Sequence, residues 1–342
     1  MSVKWRLPEY PSINSLQILL TRSCQLSCRY CRQTEKYAAM PDSRISACVD
    51  LLLASDDEQV RLQWFGGEPL LRCATIIRQS RAALAKARKA GKTMKFGIAT
   101  NAFLLTPERV RALAEFPVEY ILSIDGALPK QRYQRPFKAA AGKYPYERLV
   151  AAIGELNRLK QPYFVNMVTL PGREASLEED VDHFLALGVG TFRFSYAMGA
   201  DWTPAASRAY FKKVLQVCLA KKKQGVKWLV LNPRCMDEPD LISPTPAVDC
   251  DGGIYFGSAL PPLEKNFPEV LAATKLGRLG DFSRLSQLKL DRQLALKKVR
   301  RAYPAGSRKG RIVNSNLRMG MLSHELFGKM ARAGIVRAEQ AG

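Results

Sequence analysis

The chain has 342 residues, 47% hydrophobic and 25% charged, the balance of a globular protein with a large core. Its 53 Lys and Arg against 31 Asp and Glu leave a net charge of +22, a field that draws polyanions and acidic peptides. No run nears the ~18 apolar residues of a membrane span, and Met1-Ser2-Val3-Lys4-Trp5-Arg6 lacks the apolar stretch of a signal peptide, so no membrane association is expected.

Leu16 to Thr21 reads as a first strand, a short apolar run with a β-branched end. Directly after it stands Ser23-Cys24-Gln25-Leu26-Ser27-Cys28-Arg29-Tyr30-Cys31. Three thiolates at C-x3-C-x2-C spacing can hold three corners of an iron–sulfur cube. The fourth iron is then left open, whereas clusters normally take four cysteines. The other reading is a zinc knuckle, but structural zinc takes a closed set of four ligands, and no further Cys or His follows at finger spacing. Free clustered thiols suit a reducing cytoplasm.

A helix is expected from Arg44 to Ala54, then a second strand from Val60 to Phe65, ended by Gly66-Gly67. The Ala-rich segment from Leu71 to Ala90 reads as a long helix closed by Gly91. Lys95 to Thr100 is the third strand, Pro107 to Phe116 a helix with Pro at its first position, and Val118 to Ile124 the fourth strand. Tyr146 to Leu159 is amphipathic and helical, and Tyr163 to Leu170 is the fifth strand. Ser176 with Glu179 three residues on spells a capping box for a helix reaching Leu187. Thr191 to Tyr196 is the sixth strand. Six βα units in succession argue a parallel sheet with helices outside, curved toward a barrel whose site lies at the strand C-termini.

After residue 200 the pattern changes, which places a domain boundary there: 1–200 and 201–342. Thr203 to Gln224 is one helix and Trp228 to Leu231 a short strand. Pro233, Pro239, Pro244 and Pro246 punctuate the next passage, and Val248 to Phe256 reads as a hairpin around Asp251-Gly252-Gly253. From Leu285 the tail is helical and basic: the last 62 residues hold 14 Lys or Arg against 4 Asp or Glu. Cys48, Cys73 and Cys218 fall on apolar helix faces and read as core. His183 and His324 have no partner at ligand spacing and read as structural.

Four segments at strand ends together resemble the radical S-adenosylmethionine enzymes. Cys24, Cys28 and Cys31, with Tyr30 before the last, resemble that family's cluster-binding motif, so the resemblance implies a [4Fe–4S] cluster on these thiols. Trp64-Phe65-Gly66-Gly67-Glu68-Pro69 resembles the segment that meets the amino group of S-adenosylmethionine. Thr100-Asn101 resembles the family's Thr-Asn-Gly turn, with Ala102 where Gly is usual. Ser123-Ile124-Asp125-Gly126 resembles a segment of peptide-modifying members, and Arg135 fits an arginine that pairs the methionine carboxylate.

The fold so implied is α/β: a partial (β/α)6 TIM-like barrel with a smaller α+β C-terminal extension. The implied chemistry is reductive cleavage of S-adenosylmethionine to a 5′-deoxyadenosyl radical that abstracts a substrate hydrogen, fed by an external donor such as flavodoxin or ferredoxin. Ala247 to Gly257 resembles the hairpin of SPASM or twitch extensions, where auxiliary clusters bind, but no Cys follows Cys250, so those clusters are expected to be lost. Cys235 and Cys250 are then candidate hydrogen-atom donors, against ordinary buried cysteines. The expected substrate is a peptide or small protein, such as a ribosomally made precursor with an acidic leader. An RNA or small-metabolite substrate is the rival, nucleic acid being disfavoured for want of a recognised RNA-binding module. An idle scaffold for a partner enzyme is the other rival.

Overall fold

The computed structural model describes residues 13–34, 38–139, 142–234, 238–257, 263–289 and 291–337. Strands β1 (Ser15–Thr21), β2 (Gln59–Gly66), β3 (Thr93–Thr100), β4 (Val118–Ser123), β5 (Tyr163–Thr169), β6 (Thr191–Tyr196) and the short β7 (Leu229–Val230) lie side by side in chain order. Every neighbouring pair among them is parallel. The crossovers carry helices α1 (Asp42–Leu53), α2 (Cys73–Lys89), α3 (Pro107–Leu113), α4 (Leu128–Gln134), α5 (Tyr146–Arg158), α6 (Leu177–Ala186) and α7 (Pro204–Lys223).

The six expected barrel strands stand within two residues of their expected ends. The short α4 goes beyond the sequence reading. Pro129 and Pro136 bracket it like loop punctuation, yet Pro129 sits in the first turn, where proline costs no hydrogen bond. The capping box expected at Ser176 does not form, because the Ser176 hydroxyl donates to Asp180 Oδ2 at 2.8 Å instead of accepting from the helix. Asp180 also accepts from Ala127 N at 2.8 Å and Lys130 Nζ at 3.0 Å, so α6 is pinned to the start of α4.

Burial along β4 and β6 alternates strictly. Val118, Tyr120 and Leu122, like Phe192, Phe194 and Tyr196, are buried on one face, while Ile121, Ser123, Arg193 and Ser195 on the other are only half-buried. The buried face carries the main core with Ile45, Val49, Leu52, Leu62 and Trp64, the last stacked on Phe96 at 6.5 Å. The half-buried face mixes polar and apolar side chains and lines a cavity, unlike the packed interior of a closed barrel.

The segment beyond residue 200 adds to both ends of this sheet. While β7 extends the β6 edge, β8 (Pro246–Val248) runs parallel to β1 on its other side, Gln17 facing Ala247 and Ile18 facing Val248. Then β9 (Gly253–Phe256) pairs antiparallel with β8, and β10 (Lys275–Arg278) antiparallel with β9. The expected hairpin is therefore β8–β9, and the ten-stranded sheet is open, with β10 and β7 as its edges. Helices α8 (Pro268–Thr274), α9 (Arg292–Ala302) and α10 (Arg308–Arg332) bury a second apolar cluster with Leu241, Val270, Leu296, Val299, Val313 and Leu317. Leu19 of β1 belongs to it, so β1 is buried on both faces.

One buried ion pair ties the two parts together. Arg22, at the end of β1, grips both carboxylate oxygens of Asp249 in the β8–β9 turn, Nε to Oδ1 at 3.0 Å, and also reaches Glu264. The side chains of Arg22 and Asp249 are each 2% exposed. Removing one partner strands the other charge in the interior. Arg22→Met should therefore lower the unfolding free energy by about 3–5 kcal/mol in urea titration, whereas a further Asp249→Leu should restore much of the loss.

Candidate active site

The cysteine loop begins where β1 ends, and its position follows from glycines on the neighbouring strand. Gly66 has φ +132°, a conformation closed to other residues, and a Cβ there would fall 2.2 Å from the Thr21 carbonyl oxygen. A Cβ on Gly67 would fall 2.3 Å from the Ser23 carbonyl oxygen. The Gly67 and Glu68 N–H groups donate to those same two carbonyls at 2.8 and 2.9 Å. Gly66-Gly67 thus serves a backbone-to-backbone approach that seats the root of the cysteine loop.

The far side of the loop is zipped to the chain leaving α4. Ser27 N donates to Pro136 O at 2.7 Å, Arg29 N to Gln134 O at 2.9 Å, and Lys138 N to Gln25 O at 3.0 Å. Cys24, Cys28 and Cys31 are half-buried free thiols that line one cavity of about 590 Å³ together with Tyr30. Burial pushes the Cys24 thiol up to about 11 and the Cys28 thiol to about 12, and each is raised further by its sister thiols. Among the described residues no three His, Cys, Asp or Glu side chains converge as they do on a single metal ion. The three thiols instead face a wider chamber, and a donor set of three suits a larger group with one corner left for another ligand.

The expected contact residues divide into two sets. Gly66, Gly67, Thr100, Asn101, Ser123 and Arg135 line the chamber. The Arg135 guanidinium sits 5.3 Å over the Tyr30 ring, its NH2 donates to Asp125 at 2.9 Å, and its buried Nε has no partner. A buried, unpartnered guanidinium N–H beside three thiols fits the carboxylate of an amino-acid-bearing cofactor.

Glu68, Pro69 and Asp125 stand behind that wall. The Glu68 carboxylate, expected at an ammonium group, accepts from Leu70 N at 3.0 Å, Thr100 Oγ1 at 2.8 Å and Asn101 N at 2.8 Å. It thereby caps the 3-10 turn that Pro69 opens and clamps the end of β3. Asp125 accepts from Tyr30 OH at 2.9 Å, Gln134 Nε2 at 2.8 Å, Arg135 NH2 at 2.9 Å and Val168 N at 3.1 Å. Its carboxylate is spent on joining four segments. Ala102 adopts φ +66°, the left-handed turn that its departure from glycine put in question.

Cys250 is 2% exposed and donates to the Leu19 carbonyl at 3.0 Å; it packs in the second core and does not line the chamber. Cys235 lies outside the described residues. Sequence reasoning passed over the chamber's floor: Gln17 of β1, Arg61 and Gln63 of β2, Asn166 of β5, Arg193 and Ser195 of β6, and Asp240, Ser243 and Thr245 from the extension. For the strand residues the signal was polar side chains at alternate positions; Asp240, Ser243 and Thr245 lie outside the strands and had none.

Comparison with known proteins fits this geometry. Residues 18–186 match the radical SAM superfamily. A protein of Methanocaldococcus jannaschii is 27% identical over 180 residues, which is 52% of this chain and 61% of that one. GTP 3′,8-cyclase 1 of Mycobacterium tuberculosis is 30% identical over 148 residues, 41% of this chain and 39% of that one. The chain thus spans less than two thirds of either relative. The solved structure of anSMEcpe with bound AdoMet superposes with a TM-score of 0.72 over 94% of this chain and 97% of that one, at 15% identity, which speaks to the fold.

The buried Glu68 gives a pH signature. Burial pushes its carboxyl up to about 7, against the three donors that favour the charged form. Because the folded value is raised, the contribution of this group to stability is full below the unfolded carboxylate range and is lost as pH rises through about 7. Between about pH 5 and pH 8 the stability of the wild type relative to Glu68→Gln should fall by about 2–3 kcal/mol in urea titrations; a constant difference would show a carboxylate ionised throughout.

Proposed function

We propose that this chain, which carries a radical SAM domain over residues 18–186, uses S-adenosylmethionine to abstract a hydrogen atom from a peptide or small-protein substrate. The observation that carries the reading is the convergence of Cys24, Cys28, Cys31 and Arg135, whose buried Nε has no partner, on one chamber. The family's cofactors are a [4Fe–4S] cluster and S-adenosylmethionine, and the residues present fit both. Cys24, Cys28 and Cys31 would hold the cluster, and Arg135, Ser123, Thr100 and Asn101 the cofactor. Bound together, these groups supply the 5′-deoxyadenosyl radical.

The chain itself does the positioning. Asn101 Nδ2 lies 3.7 Å from Cys24 Sγ, and Leu26 N donates to the same sulfur at 3.4 Å. Such donors orient a thiolate ligand and tune the charge it carries. Tyr30, held by Asp125, forms the wall beside Arg135.

The peptide reading draws on the extension. anSMEcpe, whose fold this chain shares from β1 through the region after residue 200, has also been solved with AdoMet and the Kp18Cys peptide. The polar floor, with Arg61, Asn166 and Arg193, suits a hydrophilic side chain next to the cofactor. A small-molecule reading finds its support in the likeness to a GTP cyclase. The buried seat of Cys250 favours a packing role for that thiol over hydrogen donation.

Anaerobic reconstitution followed by chromatography for 5′-deoxyadenosine tests the core of the reading. Product should appear with a strong reductant, fall to background in Cys24→Ala, Cys28→Ala or Cys31→Ala, and require about tenfold more S-adenosylmethionine in Arg135→Ala. A fully loaded cluster without product would favour a scaffold. Mass spectrometry of co-expressed peptides then separates peptide from metabolite substrates.

A further inference from the structure

We infer that the exposed face of α9 and the turn into α10 form a docking surface for an acidic peptide segment that carries apolar side chains. The inference rests on the peptide reading above and names where such a substrate is gripped. Between Arg292 and His324 the chain has nine Lys or Arg and no Asp or Glu. Lys297, Lys298, Arg300 and Arg301 on α9 and Arg308, Lys309 and Arg311 on α10 are exposed, and among the described residues none of them makes an ion pair.

Arg300 and Arg301 suit the C-terminal end of α9 and Lys309 lies near enough to favour the charged Glu269, but the cluster also brings like charges together. Lys297 and Arg301 are like charges one turn apart, and Arg308, Lys309 and Arg311 stand in the first turn of α10, at the positive end of its dipole. Each arrangement concentrates positive charge that a bound anion would offset.

Two observations select a peptide over RNA. Leu294, Lys297, Lys298 and Arg301 follow i, i+3, i+4, i+7 spacing on one side of α9, and Leu294 is 47% exposed at the head of that row. An apolar side chain beside glutamates would cover it, whereas a phosphate backbone would not. The nearby aromatic, Tyr303, is 4% exposed and offers no stacking platform for a base.

The two helices are also tied to segments that flank the chamber. Arg292, opening α9, donates to the carbonyls of Ile242 and Glu238 at 2.9 and 2.8 Å, in the segment whose Asp240 and Ser243 line the chamber. Asn316 of α10 holds the loop after β6 through Gly199 N at 3.0 Å and Ala200 O at 2.8 Å.

Fluorescence anisotropy tests this on the full chain with three labelled probes: a peptide of alternating glutamate and leucine, a peptide of glutamate alone, and polyuridylate. The glutamate–leucine peptide should bind tightest, and its affinity should fall with added salt. The triple reversal Lys297→Glu, Lys298→Glu, Arg301→Glu should weaken it by about tenfold or more, and Leu294→Ser should erase its advantage over glutamate alone. Tighter binding of polyuridylate, lost on the same reversal, would overturn the peptide assignment. Binding of all three probes that the reversal leaves unchanged would reduce the face to solvated charge. 5′-Deoxyadenosine release without peptide reads the radical function separately, and these exposed positions should leave it at the wild-type level.

Discussion

Two backbones in contact at the ends of β1 and β2 decide where the chemistry of this chain stands. The strand ends approach so closely that Gly66 and Gly67 have no room for a Cβ against Thr21 and Ser23. Two N–H groups of the glycine turn bond directly to the carbonyls at the root of the cysteine loop. A loop carrying three clustered thiols pays a large entropic penalty if it must be ordered by a bound group alone. Here its first residues inherit the rigidity of a doubly buried strand.

The rest of the loop is ordered by buried carboxylates that never reach the chamber. Asp125 gathers Tyr30 from the loop, Gln134 and Arg135 from the end of α4, and Val168 from β5, so one side chain registers three segments against the end of β4. Glu68 does the same for the turn after β2 and the end of β3. Sites of this kind need supporting groups that fix the residues in contact with the ligand. The acids that sequence resemblance would assign to the cofactor belong to that support, while Thr100, Asn101, Ser123 and Arg135 line the chamber.

The legible part of the molecule was the part written in local periodicity. Strands such as Val60 to Phe65 and helices such as the Ala-rich run before Gly91 declare themselves through burial patterns of two or 3.6 residues. The three cysteines declared themselves by spacing on one loop. What the sequence hid were relations between segments distant along the chain. Nothing local shows that Glu68 turns toward Asn101 rather than into the chamber, that Ser176 gives its hydroxyl to Asp180, or that β8 joins β1. The polar floor was half-legible: Arg61 and Gln63, or Arg193 and Ser195, break apolar strands at every second residue, but only the curvature of the sheet makes them face one another.

The extension gains meaning from the same geometry. β8 lies against the exposed edge of β1, the strand that launches the cysteine loop, and Arg22 joins that launch point to Asp249 in the β8–β9 turn. Thr34, just past the last cysteine, donates to Glu264, which Arg22 also holds. The loop is therefore clasped at both ends by residues from beyond position 240, while Asp240, Ser243 and Thr245 close the chamber from the same side. An appendage that only tethered substrate would need neither a buried ion pair to the loop nor a share of the chamber wall. This one completes the site, and a substrate held on its basic helices would be held by the same body that sets the cysteines in place.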